Sequence, residues 1–307
     1  MLNKQPIFIN AFARGGSNII MNLLLSHPNV CLSDGETHKV FKGTKWNSFL
    51  RKTQKLLFYD SVIRLISQQN YFSPKLLEER KQLPAFLTSY VDKILYKGRF
   101  RACRETHNKF KFKNIPYKKD ELARCRLLTK ALNGLVFTMP MFYDLYPDAT
   151  FFGLIRNGLA ICEGYIRRGG NAHRSAEIYA SVVNKMLNLA ENIPTYHIVY
   201  YEDMVADPLT FTKKLYKLAN LNLSDLSKIR LQSKPIMDKD GQHQLKIGAD
   251  RQVFWYKPAE LNKHVRPDLN DNQIKLLSKK DKETFLSIAG PTMEKIGYNI
   301  LTEEATT

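Results

Sequence analysis

A chain of 307 residues, 44% hydrophobic and 25% charged, can bury one sizeable core and needs no more than one α/β domain. Its 47 Lys and Arg against 29 Asp and Glu leave a net charge of +18, which favours nucleotides, acidic peptides, sulfated sugars or nucleic acid as partners; a solvated basic surface is the plainer reading. The four cysteines, Cys31, Cys103, Cys125 and Cys162, lack close pairs, no signal core opens the chain, and no apolar run approaches the roughly 20 residues of a membrane span, so a zinc motif, a dense disulfide framework and a spanning helix are set aside and a cytoplasmic protein is expected.

The first element is a β-prone run, Ile7, Phe8 and Ile9, followed by Arg14 and the paired glycines Gly15 and Gly16. Ile19, Ile20, Leu23 and Leu24 then recur with helical spacing. A strand, a tight turn and a helix start thus follow one another. The first amides of a helix lack internal partners and sit at the positive end of its dipole, so this turn can hold a phosphate or sulfate. A plain structural turn explains the same residues. An ordinary nucleotide triphosphatase loop does not, because Gly16 is followed by Ser17 and Asn18 instead of a Lys and a magnesium-binding hydroxyl.

Further along, a second strand starts at Val30 and leaves into the polar loop SDGETHK. Residues 45–101 read as basic and helical, an insertion or lid. GLVFTMP, residues 134–140, reads as a third strand, 141–146 as a short helix, and 149–158 as a fourth strand. Helices follow at 159–168 and 174–192, then a fifth strand at 196–203. Beyond Asn222 the chain looks polar and irregular until a last helix at 281–288. The βαβα alternation predicts a parallel sheet with helices on both faces. Binding in such sheets falls at the C-terminal ends of the strands, which places Arg14 to Asn18, Ser33 to His38, Arg156 to Gly158 and Tyr201 to Asp203 around one crevice.

These stretches, in this order, resemble the sulfotransferases that use 3′-phosphoadenosine 5′-phosphosulfate (PAPS). The opening strand with Arg14-Gly15-Gly16-Ser17-Asn18, a Leu-rich helix and His27-Pro28 is similar to their first signature. LIRNGLAICEGYIRR is similar to the second, and YEDMVADP, from Tyr201 to Pro208, to the third. GETHKV, RQVFWYKP and AGPTMEKIGY resemble segments of the tyrosylprotein sulfotransferases in particular. The likeness touches both ends and leaves residues 45–130 uncovered, where an acceptor-selecting insertion would lie.

The resemblance implies a P-loop-like sulfotransferase fold in one domain over 1–307, with PAPS as co-substrate and no metal. The partners it implies are PAPS and a hydroxyl-bearing acceptor, with an acidic peptide or polysaccharide among the candidates. Gly15, Gly16, Ser17 and Asn18 would surround the phosphosulfate, and Arg14 would stabilise charge growing on the bridging oxygen as the bond to sulfur breaks. Arg156 would take the 3′-phosphate with its planar fork, assisted by Arg168, and Tyr201 would contact the cofactor. Glu36 would be the general base.

Four departures stand out, the first being Gly15 where the family's loop has its first Ser. The family's 3′-phosphate serine is Gly164, the Lys sought before the Pro of the third strand is Met139, and His38 stands where the tyrosylprotein enzymes carry Arg. Each site residue also has a plainer reading: a strand-end ion pair for Arg156, a solvated acid for Glu36, core packing for Tyr201, helix-end charges for Arg167 and Arg168. A catalytically silent nucleotide-binding protein of the same fold is the main rival. A basic nucleic-acid binder is the other, although no interleaved basic and aromatic recognition motif supports it.

Overall fold

The computed structural model describes residues 3–33, 36–37, 40, 89, 91–96, 123–232, 253–265 and 267–300. The expected insertion at 45–130 falls mostly outside them, as do Gly35 and His38.

β1 (Ile7–Ala11) is buried along its whole length because it is the central strand of a five-stranded sheet in the order β2-β3-β1-β4-β5. The others are β2 (Val30–Leu32), β3 (Arg126–Leu132), β4 (Thr150–Ile155) and β5 (Tyr196–Tyr200), and every pairing is parallel. The pleat sends alternate side chains to opposite faces, and each face has its own core. Phe8, Phe12 and Phe151 join Phe142, Tyr179 and Phe285 on one side; Ile7, Ile9 and Phe152 join Leu23, Leu24 and Tyr216 on the other. Phe8 stacks on Phe151 with ring centroids 5.0 Å apart.

α1 (Ser17–Leu25), α2 (Met139–Leu145), α3 (Gly158–Ile166) and α4 (Ala172–Asn192) follow the expected order. The third strand does not. GLVFTMP forms a 3₁₀ turn over Asn133–Thr138 running into α2, and the strand is the preceding RLLTKAL. A short apolar run cannot be told from a buried helical turn by pattern alone. Asn133 at φ 52° ends the strand, and Pro140 sits in the first turn of α2, where a missing N–H costs nothing. The fifth strand likewise stops at Tyr200, because Tyr201–Ala206 forms α5 with Glu202 and Asp203 in its first turn, where acids suit the dipole.

α6 (Pro208–Leu218) is capped by Asp207, which accepts from Thr210 N at 3.0 Å. The region beyond Asn222 is more regular than its polarity suggests. β6 (Ile229–Gln232) and β7 (Val253–Tyr256) pair antiparallel, α7 spans Leu269–Ile274, and α8 spans Lys279–Lys295, longer at both ends than the expected 281–288. β6 docks on α1 through Arg230, whose N–H donates to Ser26 Oγ at 2.8 Å and whose guanidinium donates to Asn22 Oδ1. Among the described residues no helix is long and apolar enough to cross a membrane.

Candidate functional site

Every parallel strand points its C-terminal end to the same edge of the sheet. The chain leaves β1 at Phe12, turns back on itself with Gly15 N–H donating to Phe12 O at 2.9 Å, and enters α1 at Ser17. Two residues of this turn are left-handed, Arg14 at φ 74° and Gly16 at φ 90°. The first is a conformation that non-glycine residues rarely hold without support. Gly16 is needed for a second reason: a Cβ there would lie 2.4 Å from Tyr201 Cδ2. α1 has no side-chain cap hydrogen bond and no acid in its first turn, so nothing within the helix answers the positive end of its dipole.

Arg156, one residue beyond β4, is only 3% exposed and lies against this turn. Its Nη1 donates to Arg14 O at 2.8 Å, its Nε to Asn270 Oδ1 at 2.7 Å, and its Nη2 to Gln273 Oε1. The guanidinium stacks over the Tyr201 ring at 4.4 Å from the centroid. Burial pulls its pKa below the ordinary arginine range, countered by Tyr201, Glu202, Tyr298 and Glu163. Tyr201 is therefore both core and wall, 2% exposed, against Gly16 on one side and under Arg156 on the other.

Glu202 ties this flank together. It accepts from Asn157 N–H at 3.0 Å, Asn270 Nδ2 at 2.6 Å and Tyr298 OH at 2.7 Å. Burial, reinforced by the Glu202 charge and hydrogen bond, pushes the Tyr298 phenol well above its usual range, so it stays a donor.

The other flank is built on β3. Lys130, 5% exposed, sends Nζ to Asn18 Oδ1 at 2.7 Å and lies 3.5 Å from Glu36 Oε1. The loop after β2 is held to the same strand, with Ser33 N–H donating to Leu128 O and Thr37 N–H to Lys130 O. Sequence reasoning missed Lys130 because the third strand was placed one segment too late. The missing lysine was sought at Met139, whereas the strand itself carries Lys130. The available signal was a lone cation near the C-terminal end of an apolar run.

Of the expected residues, the structure brings Arg14, Gly15, Gly16, Ser17, Asn18, Glu36, Arg156 and Tyr201 to one edge of the sheet. Arg168 is exposed in the turn after α3, while its neighbour Arg167 pairs with buried Glu163 at 3.0 Å. Gly164 lies within α3, where an added Cβ would meet only Arg14 Cβ, at 3.7 Å.

A parallel sheet flanked by helices, whose first strand runs through a glycine turn into an uncapped helix, defines a P-loop-like α/β fold. The sequence model of the sulfotransferase family matches residues 6–225, well over half of the chain, and the chain belongs to that family. Among solved structures it is similar to a sulfotransferase domain from the Synechococcus PCC 7002 olefin synthase, with TM-score 0.52 and 15% identity over 98% of this chain and 99% of that one. A sulfotransferase domain from the curacin biosynthetic pathway is similar at TM-score 0.50 and 15% identity, over 97% and 99% of the two chains. At such identities the likeness is one of fold. No curated protein sequence matches the chain.

Proposed function

We propose that this chain transfers a sulfuryl group from PAPS to a hydroxyl acceptor. The observation that carries the reading is the pair of buried cations flanking the uncapped start of α1: Arg156, bonded to the Arg14 carbonyl, on one side and Lys130, bonded to Asn18, on the other. This donor set fits an anion extended along the strand ends. The amides of Gly16 to Asn18, with the Ser17 and Asn18 side chains, hold the phosphosulfate, while the Gly15 N–H closes the turn on Phe12 O. Arg156 takes the 3′-phosphate and Tyr201 walls the cofactor, while Arg168, exposed in the turn after α3, is assigned to that phosphate by the resemblance alone.

In the transfer, the acceptor oxygen forms a bond to sulfur as the sulfur–oxygen bond to the phosphate breaks. The electron pair leaves on the phosphate oxygen, and the hydroxyl proton passes to the Glu36 carboxylate. Arg14 and Lys130 answer the charge that grows on the departing oxygen, an interaction stronger in the transition state than in the ground state. The acceptor itself is selected by the segment within 45–130. The likeness around Glu36 to tyrosylprotein enzymes makes a tyrosine in an acidic peptide one class to screen, with polysaccharides and small alcohols as the others.

Adenosine 3′,5′-bisphosphate, the product of such a transfer, should raise the melting temperature by mass action, and ATP with magnesium should raise it less. Equal stabilisation by the two, or none by the bisphosphate at millimolar concentration, removes the assignment. Gly164 favours a second reading, a silent nucleotide-binding protein. A screen of acceptor classes with labelled PAPS separates the two, since only an enzyme moves the label.

A further inference from the structure

Three of the five N–H donors of Arg156 are taken within the protein, and two of those go to the amide side chains of one short helix, α7. The orientation of both amides is fixed by chemistry: a guanidinium only donates and a carboxylate only accepts. Asn270 therefore turns its oxygen to Arg156 and its Nδ2 to Glu202, while Gln273 turns its oxygen to Arg156 and its Nε2 to Glu163 at 2.7 Å. Nε and Nη2 form the edge with which an arginine grips a phosphate bidentately. Two carbonyl oxygens, three residues apart on a helix, stand where two phosphate oxygens would.

We infer that Asn270 and Gln273 act as an internal stand-in for the 3′-phosphate and compete with it for Arg156, weakening the bisphosphate product and hastening its release. The inference rests on the reading of Arg156 given above. α7 is suited to yielding. None of its six residues is fully buried, and Asn270 and Gln273 spend their amides on polar contacts to Arg156, Glu202 and Glu163. A dianionic phosphate makes stronger, charge-assisted bonds to Arg156 than a neutral amide does, so it can displace them, at a cost that the amides subtract from its affinity. In ligand-free protein the same amides satisfy the Nε and Nη2 edge of a buried guanidinium whose Nη1 alone is held by Arg14 O.

The test compares wild type with Asn270→Ala/Gln273→Ala by calorimetry, using adenosine 3′,5′-bisphosphate and, as a control without the 3′-phosphate, AMP. The double variant should bind the bisphosphate about tenfold more tightly, the loss of one to two competing hydrogen bonds, with AMP affinity unchanged and a lower ligand-free melting temperature. Each single substitution should give a smaller shift of the same sign and serves if the double variant does not fold. In wild type, hydrogen exchange over residues 269–274 should speed up when the bisphosphate binds. Unchanged or weakened bisphosphate binding in a folded variant overturns the stand-in alone, as does increased protection of α7 on binding. Failure of both wild type and variants to bind the bisphosphate overturns it together with the reading of the site.

Discussion

On the β4–β5 flank of the crevice each group is held from several sides: Arg156 bonds to Arg14, Asn270 and Gln273 and stacks on Tyr201, while Tyr179 OH donates to the Arg156 carbonyl at 3.0 Å. On the β2–β3 flank, Glu36 sits on a loop with its side chain 24% exposed, and Lys130 reaches it from the sheet at 3.5 Å. On the first flank Arg156 and Tyr201 are positioned by Arg14, by each other and by Tyr179 before any ligand arrives, and only the α7 amides have to give way. The second presents a partly exposed carboxylate and one buried lysine anchored to Asn18, groups whose proposed work is to take a proton and to answer a charge. Substitutions on the second flank should therefore lower turnover and those on the first should alter affinity.

The largest effect should come from Glu36→Gln, which keeps the shape but cannot accept a proton. General-base contributions are typically about 10² to 10⁴ in rate, so single-turnover transfer should fall by that much while bisphosphate affinity stays near wild type. A phenolic acceptor, whose proton is more acidic, should show the smaller loss. Ordinary turnover in this variant moves the base elsewhere. Lys130→Met comes next. Removing one donor to a developing oxyanion costs roughly 10²- to 10³-fold in turnover, and the expected signature is a fall in kcat with little change in KM for PAPS. A rise in KM alone would make Lys130 a ground-state contact and erase the contrast between the flanks.

Arg156→Ala should show the opposite pattern. Loss of a charge-assisted, two-point grip should weaken bisphosphate binding on the order of 100-fold and leave AMP binding unchanged, as titration calorimetry can read. Gly16→Ala tests how firmly the same flank is built. An added methyl meets the Tyr201 ring at 2.4 Å in a left-handed backbone, and a cost of about 2 kcal/mol is expected in urea unfolding. A neutral result would mean that the ring moves aside freely.

The same contrast explains what the sequence made legible. The strand-end rule brought the turn after β1, Arg156 and Tyr201 to one crevice, although the fifth strand was expected to run on to 203, and it was their likeness to the sulfotransferase signatures that singled these residues out. Lys130 was hidden because RLLTKAL adjoins an unpatterned basic stretch and the next apolar run, GLVFTMP, looked more like a strand. Its residues are indeed buried, Val136 at 0%, but on a 3₁₀ turn. Asn270 and Gln273 carried no signal at all. Amides are common in polar segments, and their role comes from a fold that brings α7 over Arg156 from more than a hundred residues away. Glu202 was read as part of a motif, and only the structure shows why it is there: it receives donors from three separate segments.

The smallest predicted effect is a gain. Gly164→Ser restores the hydroxyl that the resemblance implies beside Arg156, and a Cβ fits there: it meets nothing within 4 Å except Arg14 Cβ, at 3.7 Å, an ordinary contact. The position is inside α3, where serine is a better helix former than glycine by about half a kcal/mol, so the fold should be unharmed or slightly more stable. One new hydrogen bond to phosphate contributes on the order of 1 kcal/mol, which is a roughly fivefold gain in bisphosphate affinity. Placed in the Asn270→Ala/Gln273→Ala background, the gain should be at least as large, because the phosphate then meets no competing amide. If Gly164→Ser is stable yet leaves affinity unchanged in both backgrounds, the phosphate does not approach α3, and the β4–β5 flank holds some other part of the ligand.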